Sequence, residues 1–166
     1  MEPPFMSASV EMTISRDRDH VFSLVTDEDA PPKLLRGYGP IPEMVRSETV
    51  VGPWGRVGAT RKMFQSDGHY ILEEITDIKH PTYFSYKVSG FTCPISLFAE
   101  YGEGQWSFDS RAEITDVRWT FTFKAKNHLA KIPLWLLVTA IWKGNMHKVV
   151  DNIRALAEAN AEKETR

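Results

Sequence analysis

The residues best placed to do chemistry are Arg61 and Glu73. They fall in two segments that read as neighbouring strands, Ala59–Gln65 and Tyr70–Ile78, joined by a tight turn at Ser66-Asp67-Gly68. Alternation puts Arg61, Met63 and Gln65 on one face of the first strand, and Ile71, Glu73 and Ile75 on one face of the second. The two isoleucines mark that face as the inner one. Arg61 and Glu73 then point inward across a hairpin. An unpaired buried charge is too costly, so each needs the other or a ligand. As a catalytic couple, Arg61 would hold a carboxylate or enolate oxygen while Glu73 moved a proton. An adjacent arginine lowers a carboxyl pKa, which works against the glutamate as a base. The alternative is a structural ion pair, or an exposed pair facing the cavity mouth.

His69 opens the second of these strands and is a further candidate base, at the mouth of a cavity. His20, His80 and His128 read as exposed, and His147 lies on a helix. No HxxxH or HxH spacing occurs, so no metal centre is expected. The single cysteine, Cys93, excludes an intramolecular disulfide and a cysteine-built zinc site. It precedes Pro94, far in sequence from any histidine, and reads as an inert thiol. No Gly-x-Ser-x-Gly elbow is present. The glycines of Gly52-Pro-Trp-Gly55-Arg-Val-Gly58 precede a strand, not a helix, so no phosphate cradle follows and no cofactor is expected.

These side chains need elements to hold them. The one long helical signal is Lys131–Glu164, where Trp135, Val138, Trp142, Met146, Val149, Ile153 and Leu156 recur at steps of three and four. Pro133 suits its first turn, and the polar tail from Glu158 should fray. Gly144 and Asn145 interrupt its apolar middle. Gly144 would admit a close approach by a ligand or strand, and Asn145 would then place an amide in the cavity; the alternative is an exposed turn of helix, since the spacing puts Asn145 at the edge of the buried face.

The rest is strands and turns. Ala8 to Ile14 alternates with period two, Ser15 caps a short helix over Arg18–Val25, and prolines and glycines confine a second short helix to Lys33–Arg36. Strands follow at Met44–Val51, Ala59–Gln65, Tyr70–Ile78 and Tyr83–Ser89. Gly90–Gly104 reads as a long apolar loop, a lid beside the long helix. Gln105–Glu113 and Asp116–Lys126 close the series. The expected fold is α+β: a curved antiparallel sheet of about seven strands around the long C-terminal helix, in one domain over 1–166 with 1–6 and 160–166 loose.

Such a sheet facing one helix about 10 Å wide leaves an interior to fill. Its inward positions include Tyr86, Val88, Trp106, Phe108, Trp119, Phe121 and Phe123, joined by Met63, Ile71 and Ile75 and, from the helix, by Trp142 and Asn145. Either these side chains plug the space as core, or they wall a ligand site. Ile132–Val138 is apolar nearly all round, more than one buried face requires. It would cover the cavity mouth, form a homodimer contact or touch a membrane surface.

Bulk properties narrow the classes. With 166 residues, 42% apolar and 25% charged, the chain can bury a real core. A formal charge of −2 without a basic block argues against nucleic acid. Residues 1–15 lack a basic start followed by an apolar run, so a cytoplasmic setting is expected. Ile132–Trp142 is too short to span a bilayer, which takes about 20 residues.

Several stretches stand out in order: Ile14 to Asp27 with its HVFSLVTD, Trp54-Gly-Arg-Val-Gly-Ala-Thr-Arg61, and Glu73-Glu-Ile-Thr-Asp77. Further on come Tyr83 to Val88, Gly104-Gln-Trp106 and Thr115-Asp-Val-Arg-Trp-Thr120. Taken together they resemble the START-like, or helix-grip, superfamily, and within it the polyketide cyclase/dehydrase and lipid-transport family. The resemblance implies an apolar cavity between sheet and helix, and a superfamily of mixed functions. The expected function is binding of a lipid-like, aromatic or polyketide-derived molecule. The alternatives are a cyclase or dehydratase using Arg61 and Glu73, and an interaction module resembling Hsp90 ATPase activators, its cavity incidental.

Overall fold

The computed structural model describes residues 4–166. Seven strands, β1 (Phe5–Ile14), β2 (Met44–Val51), β3 (Thr60–Gln65), β4 (Tyr70–Lys79), β5 (Tyr83–Ser89), β6 (Ala99–Arg111) and β7 (Ile114–Ala125), form one antiparallel sheet in the order β1-β7-β6-β5-β4-β3-β2. Register irregularities in β2–β3, β4–β5 and β6–β7 bend it. Two short helices, α1 (Arg18–Thr26) and α2 (Ala30–Leu34), follow β1. The long terminal helix runs as α3 (Lys131–Leu137), a π-helical turn at Val138–Trp142, and α4 (Lys143–Glu164). This is the helix-grip arrangement.

Several local expectations change. Asp17, not Ser15, caps α1, its carboxylate accepting from the His20 backbone N–H at 3.2 Å. Both residues are good caps; the one closer to the buried Val21-Phe22 pair wins. α2 starts earlier than Lys33, because Pro31 and Pro32 fit a first turn that needs no N–H donors. Of the leader taken as loose, residues 1–3 lie outside the described residues, while Phe5 and Met6 pair with Lys124 and Phe123 in the sheet. The tail stays helical to Glu164, where Arg16 reaches the Glu164 carboxylate at 2.7 Å and the Ser15 N–H donates to Glu158. His20 is half-buried rather than exposed, its ring beside Arg16 at 3.2 Å.

The π turn has the largest consequence. An added residue in one turn rotates everything before it relative to α4. Leu134 therefore packs inside with Val138, and Trp135, which simple helical spacing turns inward, is 52% exposed. Gly144 does admit a close neighbour: the Tyr38 phenol lies over it, where a Cβ would collide. Lys148 Nζ donates to the Gly37 carbonyl at 2.6 Å and Asn152 Nδ2 to the Leu34 carbonyl at 3.0 Å, fastening the segment after α2 to α4.

β6 also begins earlier than expected. Ala99–Gly104 belongs to the sheet, and only Pro94–Leu97 of the presumed loop forms a short 3-10 turn. Gly102 and Gly104 look like loop residues but are demanded by packing. The Phe121 ring lies over Gly102 and the Tyr86 ring over Gly104, with no room for a Cβ at either.

Candidate functional site

Between sheet and long helix lies a cavity of about 670 Å³. The sheet supplies Met63, Ile71, Glu73, Tyr86, Val88, Trp119, Phe121 and Phe123, whose alternation turns them to the concave face. The helix supplies Leu137, Ile141, Trp142 and Asn145. Phe91, Cys93, Ile95 and Phe98 close one side, and Leu35 with Pro40–Pro42 the other. Pro40, Asp67, Pro94, Leu136 and Ala140 both line the cavity and are exposed, so they ring its mouth.

The aromatic wall is braced from behind. Trp106 and Trp119 stack at 4.5 Å, their planes 8° apart. Trp142 meets Phe121 at 4.9 Å and Phe123 at 5.2 Å. These offset and edge contacts hold the rings in place and leave the hollow beside them open.

The polar groups are few. Asn145 is buried at the wall with no side-chain hydrogen bond among the described residues. Gln65 Oε1 and Trp142 Nε1 are buried without partners among the described residues, and both residues line the cavity. The Tyr86 hydroxyl accepts from Trp119 Nε1 at 3.1 Å, and its own proton has no protein acceptor among the described residues. Burial first, then the neighbouring Glu73 carboxylate, holds the Tyr86 phenol far above its ordinary value, so it remains a donor. Glu73 Oε2 accepts from Arg61 Nε; Oε1 has no other partner there.

Arg61 and Glu73 face each other in register across the β3–β4 hairpin and are both buried. They part company at the cavity. Glu73 lines it, whereas Arg61 lies behind the wall and lines only a small adjoining hollow of about 40 Å³. Its Nη1 donates to the Asp27 and Glu28 carbonyls at 3.0 and 2.8 Å, and its guanidinium sits 4.0 Å from the Trp54 ring centre. Trp54 in turn donates its Nε1 to the Thr26 carbonyl at 2.9 Å. Arg61 thus ties the α1–α2 junction to the sheet through its Nε and Nη1.

The other candidates divide. Trp106 lines the small hollow and not the large one, and Ile75 and Phe108 are fully buried in solid core. His69 lies outside the lining; its backbone N–H meets Asp67 and its ring faces Thr92 at 3.3 Å. Burial pushes the Cys93 thiol up, away from the reactive thiolate. Among the described residues no group of three metal-ligating side chains converges, and no helix is long and apolar enough to cross a membrane. Sequence reading passed over Gln65 as a wall residue, although its parity with Met63 was the available signal. Trp54 as a lid on Arg61 left no signal in spacing.

The profile of the family described as polyketide cyclase / dehydrase and lipid transport matches residues 6–158. No curated protein matches in sequence. Among solved structures, a point mutant of norcoclaurine synthase from Thalictrum flavum, in complex with a transition-state analogue, superposes with a TM-score of 0.71 at 14% identity. That match covers 97% of this chain and 99% of the other. Major latex-like protein 151 from Panax ginseng gives 0.68 at 18%, over 92% and 97%. A protein from Mesorhizobium loti gives 0.70 at 12%, over 93% and 98%. At such identities the likeness is one of fold.

Proposed function

We propose that this chain, which belongs to the polyketide cyclase/dehydrase and lipid transport family, binds an uncharged, hydroxyl-bearing apolar molecule between its sheet and its long helix. The family and the cavity together support binding of a hydrophobic ligand. One observation carries the finer reading: the apolar wall is broken by an open carboxylate oxygen on Glu73 and an unused phenol proton on Tyr86. A guest hydroxyl satisfies both, donating to Glu73 and accepting from Tyr86. Asn145 offers a further amide on the helix side. Met63, Ile71, Val88, Trp119, Phe121, Phe123 and Trp142 supply apolar contact.

Binding is favoured over catalysis by the placement of Arg61. A group meant to stabilise an enolate must point at it; Arg61 is not among the residues lining the large cavity, and its Nε and Nη1 are engaged with Glu73 and two backbone carbonyls. A hollow of this size also speaks against a filled interaction module. The outward side chains of Ile132–Val138 we assign to an intermolecular contact.

The test compares 1-naphthol with naphthalene, measured by quenching of tryptophan emission. Hydrogen bonds to charged groups contribute about 1.5–3 kcal/mol, so naphthol should bind roughly tenfold or more tighter. The paired substitution Glu73→Gln with Tyr86→Phe should collapse that ratio towards one while naphthalene affinity holds. A ratio unchanged by the pair would overturn the hydroxyl reading.

A further inference from the structure

The mouth of the cavity is bordered by apolar side chains that none of the described residues covers. Leu129 is 88% exposed, Ile132 69%, Trp135 and Leu136 each 52%, and Leu97, in the turn that carries the lining residues Pro94 and Ile95, 68%. Ile132, Trp135 and Leu136 sit at i, i+3 and i+4 and share one face of α3. Leu136 also lines the cavity, so this face runs into the opening without a break.

Charge says what fits there. From Val117 to Val150 the chain carries Arg118, Lys124, Lys126, Lys131, Lys143 and Lys148 and no aspartate or glutamate. Three of these are engaged: Arg118 with Glu11, Lys124 with Glu100, and Lys148 with the Gly37 carbonyl. Lys126, Lys131 and Lys143 are exposed and make no ion pair among the described residues, and His128 stands exposed between the first two. Of the acidic groups on neighbouring elements, Glu100 is paired with Lys124, Asp67 lines the cavity and accepts the His69 N–H in the β3–β4 turn, and Glu43 stands exposed beside Pro42; none of them lies on α3 or its flanks.

We propose that α3 and the Leu129 turn dock on an anionic lipid bilayer, with the cavity mouth turned to the lipid. Apolar side chains flanked by lysines are what an interfacial contact with acidic headgroups requires. A second copy of this chain fits poorly, because it would bring the two sets of lysines together. Docked this way, an apolar guest passes between bilayer and cavity without crossing water. The contact does not depend on which guest the cavity takes, and dye binding in the cavity is read separately from it.

The experiment sediments the full chain with phosphatidylcholine vesicles, with and without phosphatidylglycerol. Each lysine near an anionic surface strengthens binding by about fivefold, so the chain should favour the anionic vesicles at least tenfold and release as salt rises. Lys126→Glu with Lys131→Glu should abolish the preference. Ile132→Asp with Trp135→Asp should abolish binding. Both variants should keep the wild-type melting temperature and Nile red affinity. Equal binding to both vesicle types, no binding to either, variants that still sediment, or a dimer mass in solution that Ile132→Asp halves would each overturn the proposal.

Discussion

Arg61→Met is expected to cost about 3–5 kcal/mol of folding stability, because it leaves the Glu73 carboxylate buried and unpaired. Glu73 is only 5% exposed, and among the described residues its one side-chain hydrogen bond is from Arg61. The Asp27 and Glu28 carbonyls lose their donor as well, and Trp54 loses the cation it covers. Replacing both members, Arg61→Met with Glu73→Leu, should recover much of the loss, since a buried pair exchanged for apolar groups of like volume is often neutral. Glu73→Gln keeps an acceptor for Arg61 Nε and should fall between. Urea midpoints of the four proteins check this. A loss below about 1 kcal/mol for Arg61→Met would mean that water reaches the pair and that Arg61 fastens nothing.

Ile71→Trp with Val88→Trp is expected to abolish guest binding while the fold persists. Both positions face the cavity from neighbouring strands, so the added indoles enter void rather than packed atoms. Nile red, an uncharged apolar dye, should bind the wild-type chain at one saturable site, and the double variant at least about tenfold more weakly, a difference of roughly 1.4 kcal/mol or more. Far-ultraviolet circular dichroism should be unchanged. Equal dye affinity in the two proteins would place the dye elsewhere.

The sheet was legible because its pattern is local. β7 alternates Val117, Trp119, Phe121 and Phe123 against polar neighbours, and the pleat turns that directly into an inner and an outer face. The Arg61–Glu73 register followed from the tight turn between β3 and β4 in the same way. What the sequence hid depends on distant packing. Gly102 and Gly104 look like loop residues until Phe121 and Tyr86 are seen to need the space above them. The π turn leaves no mark in a 3.6-residue period, so Trp135 and Leu134 exchange sides unannounced. Parity could show that Arg61 points off the inner face of its strand. It could not show that the guanidinium reaches the Asp27 and Glu28 carbonyls of the junction between α1 and α2.

The same limit applies to the hollow itself. Aromatic residues at inward positions read alike whether they fill a core or wall a site. Phe108 fills and Phe121 walls, on the strength of where the helix lies over the sheet.

The most direct measurement is a crystal of the chain pressurised with xenon, which enters dry apolar cavities and scatters strongly. The account predicts xenon among Val88, Phe121 and Trp142, inside the grip of the sheet on the helix. An interior that takes up no xenon, with side chains closed across that space, would contradict it.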